Sequence, residues 1–162
     1  MRRVLLASLG SVFALAGGGG TVVVKAKPFL AEVAVTDREK AKGLMYRQSL
    51  AKDRCMIFLG NEDATRPIRT KSNLIALDVV WIDSEGHVVE TAEHVQPCSP
   101  MRGDDCPSFG GKVPARHYIE FPAGTFKRLG LKKGDRLGWE LTLDDGHGLR
   151  GGLPIPKTRK KK

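Results

Sequence analysis

The run Leu74-Ile75-Ala76-Leu77-Asp78-Val79-Val80-Trp81-Ile82-Asp83 limits what this chain can become more than any other segment. Leu77, Val79 and Trp81 fall on one face of an extended strand, and Leu74, Ala76, Asp78, Val80 and Ile82 fall on the other. Both faces are apolar, so the strand needs cover on both sides and belongs in the middle of a sheet. The turn Asp83-Ser84-Glu85-Gly86 follows, with Gly86 free to take a positive φ. His87 to Val95 then returns as the partner strand.

The neighbouring segments fit the same picture. Thr21 to Lys25 and Phe29 to Thr36 read as strands, the second alternating as a half-buried antiparallel strand does. Thr36 and Glu39 are spaced as a capping box, which predicts a short helix from Asp37 that ends near Gly43. Cys55 to Leu59, Arg116 to Phe121 and Arg136 to Leu143 read as further strands, and Ala123 to Leu129 as one or two helical turns stopped by Gly130. Gln96 to Pro114, rich in Pro and Gly, reads as a long irregular loop. The expected fold is mainly β: a single-domain antiparallel sandwich or barrel of about seven to nine short strands with two short helices.

The ends differ from the body. Arg2 and Arg3, thirteen mostly apolar residues from Val4 to Ala16, and the small-x-small triplet Ala14-Leu15-Ala16 have the layout of a secretory signal peptide. Residues 1–16 are therefore read as the signal, 17–148 as the β domain and 149–162 as a flexible basic tail. The formal net charge is +9; Arg2, Arg3, Lys157, Arg159, Lys160, Lys161 and Lys162 supply seven of it, which leaves +2 for the body. The tail implies at most weak contact with an anionic membrane surface. It has no interleaved aromatic residues to stack bases, and nucleic acid is not expected as a partner.

Export, to the periplasm or beyond, places the cysteines in an oxidising compartment. Cys98 and Cys106 are expected to pair, with Cys55 left as a buried, inert thiol. His94, Cys98 and Cys106 with His117 or Asp104 match no established zinc spacing, and neither a metal nor another cofactor is expected. The sequence has no Gly-x-Ser-x-Gly elbow, phosphate loop or His-Glu-x-x-His pair.

Asp78 is the carboxylate that most needs explaining, because burial in an apolar strand demands a partner. Two readings stay open. One is structural: an ion pair, with Lys71 as first candidate, or bonds to loop amides. The other is a polar cleft for an anionic or polyhydroxy ligand, formed by Arg69, Lys71, Ser72, Asn73 and Asp78.

Several pieces occur together and in order: Glu32-Val33-Ala34-Val35-Thr36, Gly43-Leu44-Met45-Tyr46-Arg47, Leu74-Ile75-Ala76-Leu77-Asp78, Trp81-Ile82-Asp83, Gln96-Pro97-Cys98, Cys106-Pro107-Ser108, Pro122-Ala123-Gly124 and Leu129-Gly130-Leu131-Lys132-Lys133-Gly134-Asp135. In this the chain resembles the bacterial and archaeal family known as domain of unknown function 192. The resemblance spans roughly Phe29 to Leu141 and implies a mainly β fold, commonly behind an export signal, with no established activity. One segment departs. The family usually carries Phe-Trp-Met-Lys-Asn-Thr before the central strand, and this chain has Ile68-Arg69-Thr70-Lys71-Ser72-Asn73. The Lys is kept and the Trp face is not.

Two functions follow as expectations. The first is an exported, monomeric binding or accessory module of the cell envelope. The second is an envelope hydrolase whose acid–base pair comes from Asp78, Asp83, Glu93 or His94.

Overall fold

The computed structural model describes residues 18–155. The proposed signal segment and residues 156–162 of the tail lie outside them. Strands β1 (Gly19–Val24) and β2 (Lys27–Ala34) form a hairpin, turned by Lys25 and Ala26 at φ 46° and 63°. Positive φ at both turn residues matches the twist of a two-residue hairpin. Helix α1 (Asp37–Lys42) follows with the capping box in place: Glu39 N donates to Thr36 Oγ1, and Glu39 Oε2 accepts from Thr36 N.

The chain continues through β3 (Arg54–Ala64), β4 (Ile68–Arg69), β5 (Leu77–Ile82) and β6 (Val88–Val95). A 3-10 helix (Pro100–Asp105), β7 (Ser108–Phe109) and β8 (Ala115–Pro122) follow, then α2 (Thr125–Leu129), β9 (Gly138–Thr142) and β10 (Gly148–Gly152).

Eight strands make one sheet in the order β10-β9-β1-β2-β3-β8-β5-β6, and β4 pairs with β7 in a separate ribbon. The fold is mainly β, and the large sheet is mixed. β2 and β3 run parallel, because α1 carries the chain across between them, and the other pairs are antiparallel. The sheet curls until its far side meets its beginning. Val88 N donates to Asp135 O at 2.8 Å, Gly134 N to Val88 O at 2.9 Å and Leu137 N to Gly86 O at 2.9 Å. The result is a half-barrel with a core on each side of the sheet.

β5 lies between β8 and the edge strand β6, one place in from the end of the sheet, and is wholly buried. Val80 and Ile82 join the inner core with Phe29, Phe121, Phe126 and Trp139, while Leu77, Val79 and Trp81 join the outer core with Leu44, Phe58 and Ile68. This is the two-faced burial expected from its sequence. Each large apolar side chain removed from water contributes about 1.5–3 kcal/mol, so both cores depend on this strand. Phe29 and Phe121 meet edge to face, with centroids 4.9 Å apart.

Three local expectations need correction. The strand begins at Leu77, and Leu74 is half-exposed, because the chain from Thr70 to Ala76 leaves the sheet to build a wall described below. The segment Gln96 to Pro114 is not all irregular, since it holds the 3-10 helix and β7. Leu149 to Gly152, expected in a flexible extension, pairs with β9 in register from Leu149↔Leu141 to Gly152↔Gly138. Gly151 fits there because its bare backbone lies against Trp139, where an added Cβ would come within 2.1 Å of the ring.

Candidate functional site

α1 ends at Gly43, with φ 41°, and an added Cβ would come to 3.3 Å from the Phe58 ring. The glycine therefore lets the chain turn close over β3, and Leu44 drops into the outer core. Beyond it Arg47 grips Glu32 of β2 with both nitrogens of its guanidinium, one bond measuring 2.6 Å, and so fastens the exit of α1 to the sheet. Tyr46, at φ 61°, donates its amide to Ser72 O at 2.8 Å. That bond joins the α1 side to the segment 70–73.

The segment is held from behind. Thr70 is fully buried, its hydroxyl donates to Gln96 O at 2.7 Å, and Cys98 N donates to Thr70 O at 3.2 Å. Ser72 N donates to Cys98 O at 3.2 Å, and Lys71 bridges to Cys98 in strand fashion. Cys98 is joined to Cys106, with Cα atoms 5.8 Å apart, as expected. Cys55 is a buried free thiol, and burial pushes its ionisation well above the ordinary thiol range.

Between α1 and this wall lies a cleft of about 450 Å³, within the range of about 300–1,000 Å³ usual for small-molecule sites. Lys40 and Lys42 line it from α1, and Arg69, Lys71 and Asn73 from the opposite wall. Arg69 is aimed across the β4–β7 ribbon, where its Nε donates to Ser108 Oγ at 3.2 Å. The floor is formed by Phe58 of β3 with Tyr118 and Glu120 of β8, and the Phe58 and Tyr118 rings lie stacked with centroids 4.3 Å apart.

Glu120 is buried, and its Oε2 has no hydrogen-bond partner among the described residues. Burial alone pushes its carboxyl up to about 8, so it is largely neutral at pH 7. The Tyr118 phenol is also raised, by burial first and by the neighbouring Glu120 second.

The cleft thus brings together Arg69, Lys71 and Asn73 of the sequence-predicted residues. Ser72 is buried in the wall and contributes backbone bonds. Asp78 is buried in β5 and is not part of the lining; its Oδ1 accepts from His94 N and its Oδ2 from Phe126 N, both at 2.9 Å. Main-chain amides stand where a basic side chain was the first candidate. The other titratable groups weighed for catalysis do not converge either. Asp83 accepts from His87 and from turn amides, Glu93 and His94 are exposed, and none of these three lines the cleft.

Glu120 and Tyr118 were not read from the sequence as site residues. The available signal was the alternation of Tyr118 and Glu120 against Ile119 and Phe121, which puts a carboxyl on one face of a strand whose other face is core.

A family model covers residues 21–139, and it is DUF192, described as Uncharacterized ACR, COG1430. The chain belongs to the DUF192 family. Its fold matches a protein from Sinorhizobium meliloti 1021, described as a presumed transcription regulator, with a TM-score of 0.67 and 28% identity over 80% of this chain and 98% of that one. It also matches a protein of unknown function from Novosphingobium aromaticivorans DSM 12444, with a TM-score of 0.67 and 28% identity over 82% of this chain and 91% of that one. A search of the curated proteins gives no match. In this DUF192 chain Arg69 and Lys71, from the segment just before β5, both stand on the cleft wall.

Proposed function

We propose that this DUF192 chain is an exported binding module of the cell envelope, and that it holds a small polar anion in the cleft between α1 and β4. The observation that carries the reading is the gathering of Lys40, Lys42, Arg69 and Lys71 around a small cleft whose one lining carboxyl among the described residues, Glu120, burial keeps neutral near pH 7. Cations fixed around a concave surface attract an anion and steer it inward. The Cys98–Cys106 disulfide supports an oxidising compartment, as does the signal-like start of the chain. Among the described residues no helix is long and apolar enough to cross a membrane.

The hydrolase reading has no support from the geometry, since Asp78, Asp83, Glu93 and His94 do not meet. The regulator description of the Sinorhizobium protein is not carried over, because the basic excess of this chain lies at its two ends. The basic tail is expected to add weak attraction to anionic lipid.

Calorimetric titration of the purified chain with inorganic phosphate and with simple carboxylates tests the module. Binding should weaken as salt is raised and fall in Lys42→Ala and Arg69→Ala. Binding that ignores salt and both substitutions, or no binding of any anion, overturns the reading. Cell fractionation with intact mass tests export, and an uncleaved cytoplasmic chain in a native host overturns it.

A further inference from the structure

The floor of the cleft carries information that its cationic rim does not. A rim of lysines and arginine selects charge but says little about the rest of a ligand. Glu120 says more. Its carboxyl lies at the base of an open cleft with one oxygen unpartnered, although buried polar atoms are satisfied in the great majority of cases. The two strands paired to it offer nothing in return, because its register partners are Met56 on β3 and Val79 on β5.

We infer that Glu120 is a ligand-binding residue at the base of the cleft, and that the occupant is a small hydroxylated organic anion, an acidic sugar or hydroxy acid, whose acid group lies among Lys40, Lys42, Arg69 and Lys71 while a hydroxyl reaches the Glu120 carboxyl. The inference rests on the anion-site reading above and deepens it.

Three arguments select a hydroxyl over the alternatives. An ammonium group would have to pass four cations and would find no counter-charge among the described lining residues, because burial keeps Glu120 neutral near pH 7. A purely apolar acid would leave the carboxyl unsatisfied and would desolvate it further. A hydroxyl can both accept from a carboxylic O–H and donate to a carboxyl oxygen, so it can satisfy the unpartnered Oε2 whichever oxygen carries the proton. The stacked Phe58 and Tyr118 rings add an apolar surface beside it, which suits the C–H face of a sugar or a short carbon chain.

The charged and titratable groups around Glu120 are Tyr118 on its own strand, Lys40 and Lys42 from α1, Arg69 from β4 and Lys71 from the wall. Tyr118 is held neutral by burial. The lysines and arginine supply the positive charge that faces it. Ionisation of Glu120 is then the event that changes the site between pH 6 and pH 9. A carboxylate at the floor repels an organic anion and loses its O–H donor.

Three probes of similar size separate the contributions: D-glucuronate has the acid and the hydroxyls, D-glucose has the hydroxyls alone, and cyclohexanecarboxylate has the acid alone. They are titrated calorimetrically into the full chain and into Glu120→Gln, Glu120→Leu and Arg69→Ala, each checked for native circular dichroism. Glucuronate should bind at least about tenfold tighter than either comparison probe, as expected where a polar floor requires a hydroxyl. Glu120→Leu should abolish that preference over cyclohexanecarboxylate, and Glu120→Gln should keep it. Glucuronate affinity should fall about tenfold from pH 6 to pH 9 in the parent and stay flat in Glu120→Gln.

Cyclohexanecarboxylate binding as tightly as glucuronate, with no effect of Glu120→Leu, overturns the inference and leaves the anion site standing. Glucose binding as tightly as glucuronate, or neither acid binding, overturns the anion site and the inference together.

Discussion

Asp78 caps α2 from another element: its Oδ2 accepts the amide hydrogen of Phe126 at 2.9 Å, across 48 positions of sequence. The residue at the N-cap position itself is Gly124, at φ 85°, which has no side chain to do this. The other oxygen holds His94 N, where the backbone sits at φ 54°. Asp78→Ala would leave two amides without their acceptor, one of them buried, and should destabilise the chain by about 2–4 kcal/mol in chemical denaturation. Asp78→Asn keeps an acceptor oxygen and should recover part of the loss. Because Asp78 does not line the cleft, anion binding by the folded Asp78→Asn variant should be unchanged. An Asp78→Ala variant as stable as the parent would refute the capping role.

Glu120 makes stability depend on alkaline pH. Its folded value, about 8, lies above the ordinary 4.5, so the folded state holds its proton longer than the unfolded chain does. The associated stability is complete below about pH 4.5 and is lost as pH rises through 8. Glu120→Gln removes the titration. It should match the parent near pH 4 and be more stable by roughly 2–4 kcal/mol at pH 8.5. Urea melts across this range check it; parallel curves for the two proteins would contradict it.

His117 acts in the opposite direction. Its ring is pushed down from 6.5 to about 4, by burial first and by the charges of Arg116 and Arg66 after it. Nδ1 accepts from Gly60 N at 3.1 Å, and the ring meets Trp139 edge-on with centroids 5.4 Å apart. The unfolded chain takes up this proton first, so the stability from a neutral His117 is present above pH 6.5 and is lost as pH falls through 4. His117→Gln should flatten that acid limb by up to roughly 3 kcal/mol while costing something at pH 7. NMR titration of the ring gives an independent reading, and an inflection near 6.5 would disprove the shift.

The Cys98–Cys106 bridge holds the wall to which Thr70, Lys71 and Ser72 are bonded. Cys98→Ser/Cys106→Ser should cost about 2–3 kcal/mol from the loss of a short closed loop. Hydrogen exchange should speed at Ser72 and Cys98, whose amides are bonded across that contact, before it does in β5. Equal exchange in both forms would show that the wall stands without the bridge.

The sequence was most readable where one local pattern had one physical solution. Thr36 and Glu39 close a capping box within a single turn, Gly130 ends α2 in the left-handed conformation, and β5 shows two apolar faces. The parallel β2–β3 pairing was not readable in this way, because strand direction is set by the α1 crossover rather than by the alternation of β3. Arg69, Lys71 and Asn73, which line the cleft, could be singled out from their place just before the strand β5. Glu120 could not, since its meaning comes from what faces it, Met56, Val79 and an open cleft, and those come from three distant parts of the chain.

β10 has a bearing on how the β9 side of the sheet ends. The family match stops at residue 139, and this strand comes after it. It lies along β9, which would otherwise present a row of open main-chain donors and acceptors to any passing strand. The guard is itself a poor template, because Gly148, Gly151 and Gly152 give a visiting strand few side chains to grip. β10 thus covers the main-chain edge that β9 would leave open.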